Sequence, residues 1–229
     1  MKKNLIAVPA LCGAALFLLC GCFSGDNARD DLLNYLENRY PDDDFVWDHD
    51  VGSVSRANDF DYTMTVHSQK FPKDFIYVRR WLLDGQELYA DNYMVHYLHD
   101  DIESCMHDIA EDVFGACKVY MTFTPDAMVS PAVTISATAE DYLKSNPDCG
   151  FAVYLPPDGI SADEAKAGIP ALEAELSDRQ FYSADGGVRI ITDQDVYDKI
   201  TSFDGPPGGF MNNPFVEFVG KFEVKQSEK

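Results

Sequence analysis

Between Ala90 and Phe114 the apolar residues Val95, Leu98, Ile102, Cys105, Ile109 and Val113 recur at intervals of three, four, three, four and four. That spacing draws one apolar stripe along a helix, and a helix of this kind must cover its stripe against another layer. Gly115 is its natural stop. The segments around it alternate instead. Residues 45–54, 60–68 and 75–83 read as strands, and in the second Tyr62, Met64 and Val66 point one way. Asp84-Gly85 closes the third with a strong turn signal, so the three form a meander.

Helices and strands stay mixed along the rest of the chain. An opening helix over 29–40 carries Leu32, Leu33, Leu36 and Tyr40 on one face and ends at Pro41. After the long helix come strands at 117–124, 133–136, 151–155, 188–192 and 215–224, with short helices at 138–144 and 193–200. Ser161 and Glu164 match a capping box and open a helix to about Leu176, which Pro170 should split or kink. The order lacks regular βαβ alternation. It predicts an α+β fold, with helices packed on a largely antiparallel sheet. "Helix, then strand" occurs at 90–124 and again at 163–192, which suggests two loosely similar parts. The expected organisation is 1–21 as a leader, 22–27 as a tether, and 28–124 and 125–229 as two parts of one domain or two, with the border at 125–131.

The leader rests on the first residues. Lys2 and Lys3 precede a largely apolar, uncharged run from Leu5 to Leu19. The run is too short for a helix crossing about 30 Å of hydrocarbon, which takes roughly 20 apolar residues. It fits a secretory signal peptide. The sequence Leu19-Cys20-Gly21-Cys22 resembles the lipobox of bacterial lipoproteins. That resemblance implies cleavage after Gly21 and a diacylglyceryl group on the Cys22 thiol. Two acyl chains give the stable attachment that one does not. Residues Tyr35 to Pro41, Tyr-Leu-Glu-Asn-Arg-Tyr-Pro, resemble the texture of small Gram-positive surface lipoproteins. The resemblance implies a position on the outer side of the cytoplasmic membrane. Residues 23–27 are the whole tether, about 15–20 Å at full extension, so the domain would sit close to the bilayer.

Charge limits the partners. Only two of the 18 basic residues precede Cys22 and no acidic residue does, so the remainder carries 39 acids against 16 bases, near −23. Phosphate backbones need a basic surface, so nucleic acid is excluded as a partner. Attraction to anionic headgroups is disfavoured as well, leaving the lipid as the membrane contact. An acidic surface suits a basic ligand or another envelope protein, and it also simply keeps a protein soluble. Hydrophobic residues at 46% supply a core. Cys105, Cys117 and Cys149 remain after Cys22, an odd number. They are expected to act as small buried hydrophobes, although Cys117 and Cys149 could bridge if their strands are neighbours.

No motif assigns a chemistry. His99, Glu103 and His107 share a helical face at spacings of four, but HExxH is absent. Asp42, Asp43, Asp44, Asp48 and Asp50 crowd one segment, but Gly and Glu are missing from their EF-hand positions. These are weak metal candidates beside the plainer reading of solvated acidic faces, and neither a metal nor a cofactor is expected. A Gly-x-Ser-x-Gly elbow, an SxxK and a phosphate-cradling loop are all absent from the sequence. Residues 205–209 are glycine-rich, but Pro206 and Pro207 remove amide donors, so they read as a rigid turn. Tyr89, Tyr93 and Tyr97 recur at spacings of four and are expected to widen the core face of the long helix. The expectation is a membrane-anchored binding or interaction module. An accessory subunit of an envelope complex and a lipid-anchored wall hydrolase are the alternatives, and no catalytic residue is assigned.

Replacing Cys22 with Ser should move the protein from the membrane fraction to the soluble or shed fraction. A Cys22→Ser chain that stays membrane-bound contradicts the lipid anchor.

Overall fold

The computed structural model describes residues 25–47, 55–58, 61–124, 127–129, 131–145, 149–206, 209 and 213–225. Cys22 and the leader, with Asp48 and Asp50, lie outside the described residues, as does the expected strand beyond Trp47. The fold is α+β, with two sheets joined by helices.

The first sheet is antiparallel. Strand β1 (Phe45–Val46) and β2 (Ser55–Asn58) both pair with β3 (Asp61–Ser68), which pairs with β4 (Phe75–Leu83), and β4 with the edge strand β5 (Gln86–Asp91). The alternation in β3 works as expected: Tyr62, Met64, Val66 and Ser68 are buried and the residues between them are not. Met64 lies opposite Val78, and Val66 opposite Ile76. Asp84 and Gly85 have φ of 51° and 80°, and Leu83 pairs with Gln86. This is the two-residue hairpin in which both central residues need positive φ. Helix α1 (Gly25–Arg39) lays Ala28, Leu32 and Leu36 on the buried face of this sheet. Arg80, buried in β4, pairs with Asp31 of α1 at 2.9 Å.

The stripe at 90–114 folds differently from the expectation. Residues 86–91 are a strand, and the helix begins as α2 (Tyr93–Tyr97), turns at Leu98, and continues as α3 (His99–Phe114). Leu98 has φ −99° and ψ 7°, outside the helical well. Val95, Leu98, Ile102 and Ile109 of the stripe are buried, joined by Met106, Ala110 and Phe114, while Cys105 and Val113 stay half-buried. Tyr89 belongs to β5 and stacks on Tyr35 at 4.8 Å, Tyr93 is buried, and Tyr97 is 44% exposed. Of the three tyrosines only Tyr93 is fully a core residue.

The second sheet runs β6 (Lys118–Phe123), β7 (Cys149–Leu155), β8 (Ser183–Ile191) and β9 (Val216–Lys225) in that order. Only β7 and β8 are parallel. A parallel pair needs a crossover, which α5 (Ala162–Asp178) provides between them. Ser161 and Glu164 form the full capping box. Pro170 does not split α5. It takes an exposed position on the helix. A Cβ at Gly168 would lie 2.7 Å from the Phe114 ring, so the glycine permits the close approach of α5 to α3. Thr138 caps α4 (Ala139–Ser145) by accepting from the Asp141 amide at 3.1 Å. Residues 133–136 form no strand. The chain there pairs instead through a single bridge between Asp91 and Val129. A short helix α6 (Gln194–Asp198) follows β8.

One buried cluster runs through both sheets and through α1, α3, α4 and α5. The change of sheet falls before Lys118, within the helical segment, because β6 pairs with β7. Cys117 precedes Lys118, which lies opposite Tyr154, while Cys149 lies opposite Phe123. The two thiols thus sit at opposite ends of one ladder, roughly 20 Å apart at about 3.3 Å per residue, where a bridge needs about 7 Å. Cys117 is buried and its thiol is pushed up to about 12 by that burial and by Glu111. It is inert as a nucleophile.

At the junction of α1, β5 and α2 lies a carboxylate with no exposure. Asp91 accepts from Tyr40 Oη at 2.7 Å, Tyr35 Oη at 2.8 Å, Arg39 Nη1 at 2.8 Å and the Tyr93 amide at 3.0 Å. Arg39 reaches on to the Val133 carbonyl. Burial raises the Asp91 carboxyl, against the Arg39 guanidinium and the hydrogen bonds from Tyr40, Tyr35 and Tyr93. Removing one partner of a buried ion pair costs about 3–5 kcal/mol, and one hydrogen bond to a charged group about 1.5–3 kcal/mol. Denaturant unfolding of Asp91→Ala should show the first loss and Tyr40→Phe the second. An Asp91→Ala loss below about 1 kcal/mol would contradict this role.

Candidate functional site

The corner between α2 and α3 opens a cleft of about 610 Å³. Four pieces of chain build it. The β3–β4 connection supplies Phe71 and Asp74, α2 supplies His96 and Tyr97, the first turn of α3 supplies His99, Asp100 and Asp101, and the end of β6 supplies Phe123. Asp43 positions the β3–β4 connection. Its buried carboxylate accepts from Ser68 Oγ and from the Lys70 amide at 3.1 Å. The acidic segment of the sequence thus contributes an inward anchor at Asp43.

His96 is the inner wall. Its side chain is 8% exposed, with Nδ1 3.8 Å from Asp74 Oδ2. Its Nε2 lies 3.5 Å from the Asn92 amide nitrogen. The Phe123 ring meets it edge-on at 4.8 Å, and Phe71 lies at 5.7 Å. Burial pushes the imidazole below its ordinary value, Asp74 and the Phe75 carbonyl act the other way, and His99 adds to the lowering. His99 sits at the mouth, 3.2 Å from Asp100 and 3.7 Å from Glu103.

The trio His99, Glu103 and His107 does not converge. Glu103 accepts the Met121 amide of β6 at 2.7 Å, and His107 faces Asp108 at 3.6 Å. Among the described residues no group of three His, Cys, Asp or Glu side chains is spaced to hold a metal ion. The helix face predicted to offer ligands is instead divided between a strand amide and a cleft mouth. His96 was the residue that spacing alone passed over. Its signal was position, since it follows Val95 on the buried side of the helix and sits four residues after Asn92.

The cleft suits cation recognition. Asp74, Asp100 and Asp101 offer negative charge, and Phe71, Phe123 and Tyr97 offer ring faces and edges of the kind that hold ammonium or guanidinium groups. No described serine or cysteine hydrogen-bonds to His96, His99 or His107. Among the described residues the one carboxyl raised by burial is Asp91, which has no exposure and is enclosed by its donors.

No family model and no curated protein matches the chain. A solved structure, that of a DUF5037 family protein from Ruminococcus gnavus, is similar over 74% of this chain and 77% of its own, at 13% identity and a TM-score of 0.31.

The His96 environment sets a pH dependence. Its folded value lies below the unfolded one, about 6.5, so the unfolded chain binds more protons in that window. Stability is full above it and falls as pH drops through it. Thermal unfolding from pH 7.5 to 5 should show a steeper decline for the parent protein than for His96→Asn. Parallel curves would contradict the assignment.

Proposed function

We propose that this chain is an extracytoplasmic binding module, lipid-anchored through Cys22, that recognises cationic groups in the His96 cleft. The observation that carries the reading is the convergence of Asp74, Asp100 and Asp101 with Phe71, Phe123 and Tyr97 around a nearly buried imidazole. A basic side chain of a peptide or an amine of a wall polymer is the ligand class this lining fits. The acidic surface supports it by raising the local concentration of cations. Anchoring rests on the lipobox-like segment, and no described helix is long and apolar enough to cross a membrane. The short tether would keep the ligand within a few nanometres of the bilayer.

His96 gives the cleft a built-in sign. While neutral it leaves the carboxylates uncompensated. Once protonated it adds a positive charge beside Asp74 and opposes a cationic guest.

Calorimetric titration at low salt with a lysine tripeptide, and with its norleucine counterpart, tests the reading. The lysine peptide should bind and the norleucine peptide should not. Asn at positions 74, 100 and 101 together should weaken binding by about tenfold or more, since each tenfold is about 1.4 kcal/mol. Affinity should fall as pH drops from 7.5 to 5.5. Equal binding of both peptides, or binding unmoved by the triple substitution, would sink it.

A further inference from the structure

Among the described residues, one end of the outer face of the second sheet is covered. At one end α6 and the turn after it close over Ala152, Tyr154 and Ile191, with Tyr197 and Ile200 as the cover. Beside Phe203 a second cleft of about 380 Å³ opens above the strands. Its floor holds small residues, as the register shows. Gly150 lies opposite Asp185, and Gly187 lies opposite both Ala152 and Lys221. Three small residues therefore meet on β7 and β8, and the Arg189 side chain lies over Gly187.

Bases gather around this floor, in a chain whose net charge is −21. Arg189, Lys221 and Lys225 line the cleft, with Asp185 and Glu223 beside them. Arg189 is held in place. Its guanidinium folds back over Gly187 and donates to the Gly187 carbonyl at 3.2 Å. It lies 5.7 Å from the Phe218 ring centre and 5.9 Å from that of Tyr154. A Cβ on Gly187 would sit 2.9 Å from Arg189 Nη1, so the glycine makes room for this pose. Among the described residues neither Lys221 nor Lys225 has an ion-pair partner. Phe218, 54% exposed, and Phe203 form the apolar rim.

We propose that this cleft is a second binding site, for a ligand that joins a carboxylate to a flat apolar body. Arg189 and Lys221 set positive charge beside a carboxylate, and the floor at Gly150 with the phenylalanine rim accepts a ring. The site is independent of the His96 cleft and of the reading proposed for it, since the two share no residue.

Benzoate is the probe, titrated into the full chain and followed by NMR at the Gly150 and Gly187 amides and the Arg189 side chain. Benzamide and inorganic phosphate serve as comparisons. Benzoate should give saturable shifts at those groups, with benzamide and phosphate each about tenfold weaker or more. Arg189→Gln should abolish the saturable shift, while Asp100→Asn in the other cleft should leave it unchanged. Lys221 is exposed on β9, so Lys221→Gln keeps the test available if Arg189→Gln fails to fold, and it should weaken benzoate severalfold. Equal binding of benzamide overturns the carboxylate, and phosphate binding as tightly as benzoate overturns the ring floor. Benzoate binding unchanged in Arg189→Gln, or in Lys221→Gln, overturns the site.

Discussion

A single buried carboxylate holds the first half of the molecule in register. Asp91 ends β5, and every element that meets there donates to it: Tyr35, Arg39 and Tyr40 at the end of α1, and the Tyr93 amide as α2 begins. Its backbone bridges Val129, and Arg39 carries the network on to the Val133 carbonyl. A charge with no exposure is costly unless fully satisfied. The cost makes the arrangement specific, because no partial version of this junction leaves the carboxylate with its donors.

The His96 cleft depends on that junction. The Asp91 carboxylate receives the first amide of α2, which sets the direction in which Val95 and His96 turn inward. After the turn at Leu98, Asp100 and Asp101 line the opening together with Asp74 while Ile102 and Met106 go to the core. Phe123 arrives from the other sheet, and Glu103 ties α3 to that same strand through the Met121 amide. The site is thus composed at the seam between the two sheets, with one wall from each.

Local chemistry was readable in the chain and long-range chemistry was not. The alternation of β3, the Asp84-Gly85 turn, the Ser161–Glu164 capping box and the Thr138 cap are set by neighbours within a few residues, and all appear where expected. The strand β5 was hidden because Gln86 to Asp91 has little alternation at a sheet edge. The break at Leu98 carries no proline or glycine, so the 3.6-residue stripe ran straight through it. The Asp91 cluster joins residues more than fifty positions apart, and nothing local in Tyr35 or Arg39 announces it. For the site, His99 was visible by its spacing and does meet Glu103, with Asp100, at the mouth of a cleft, while His107 faces Asp108 instead. His96, the better-placed imidazole, has significance only once Asp74 and Phe123 are folded against it.

As proposed, the negative charge of this protein is focused into a site at the α2–α3 corner and not merely spread over its surface. Mapping amide and imidazole shifts of the full chain on titration with a lysine tripeptide reads this directly. The account predicts saturable shifts confined to His96, Tyr97, Asp74 and Phe123, with the rest of the acidic surface unmoved. Small, non-saturating shifts scattered over all the carboxylate-bearing faces would contradict it.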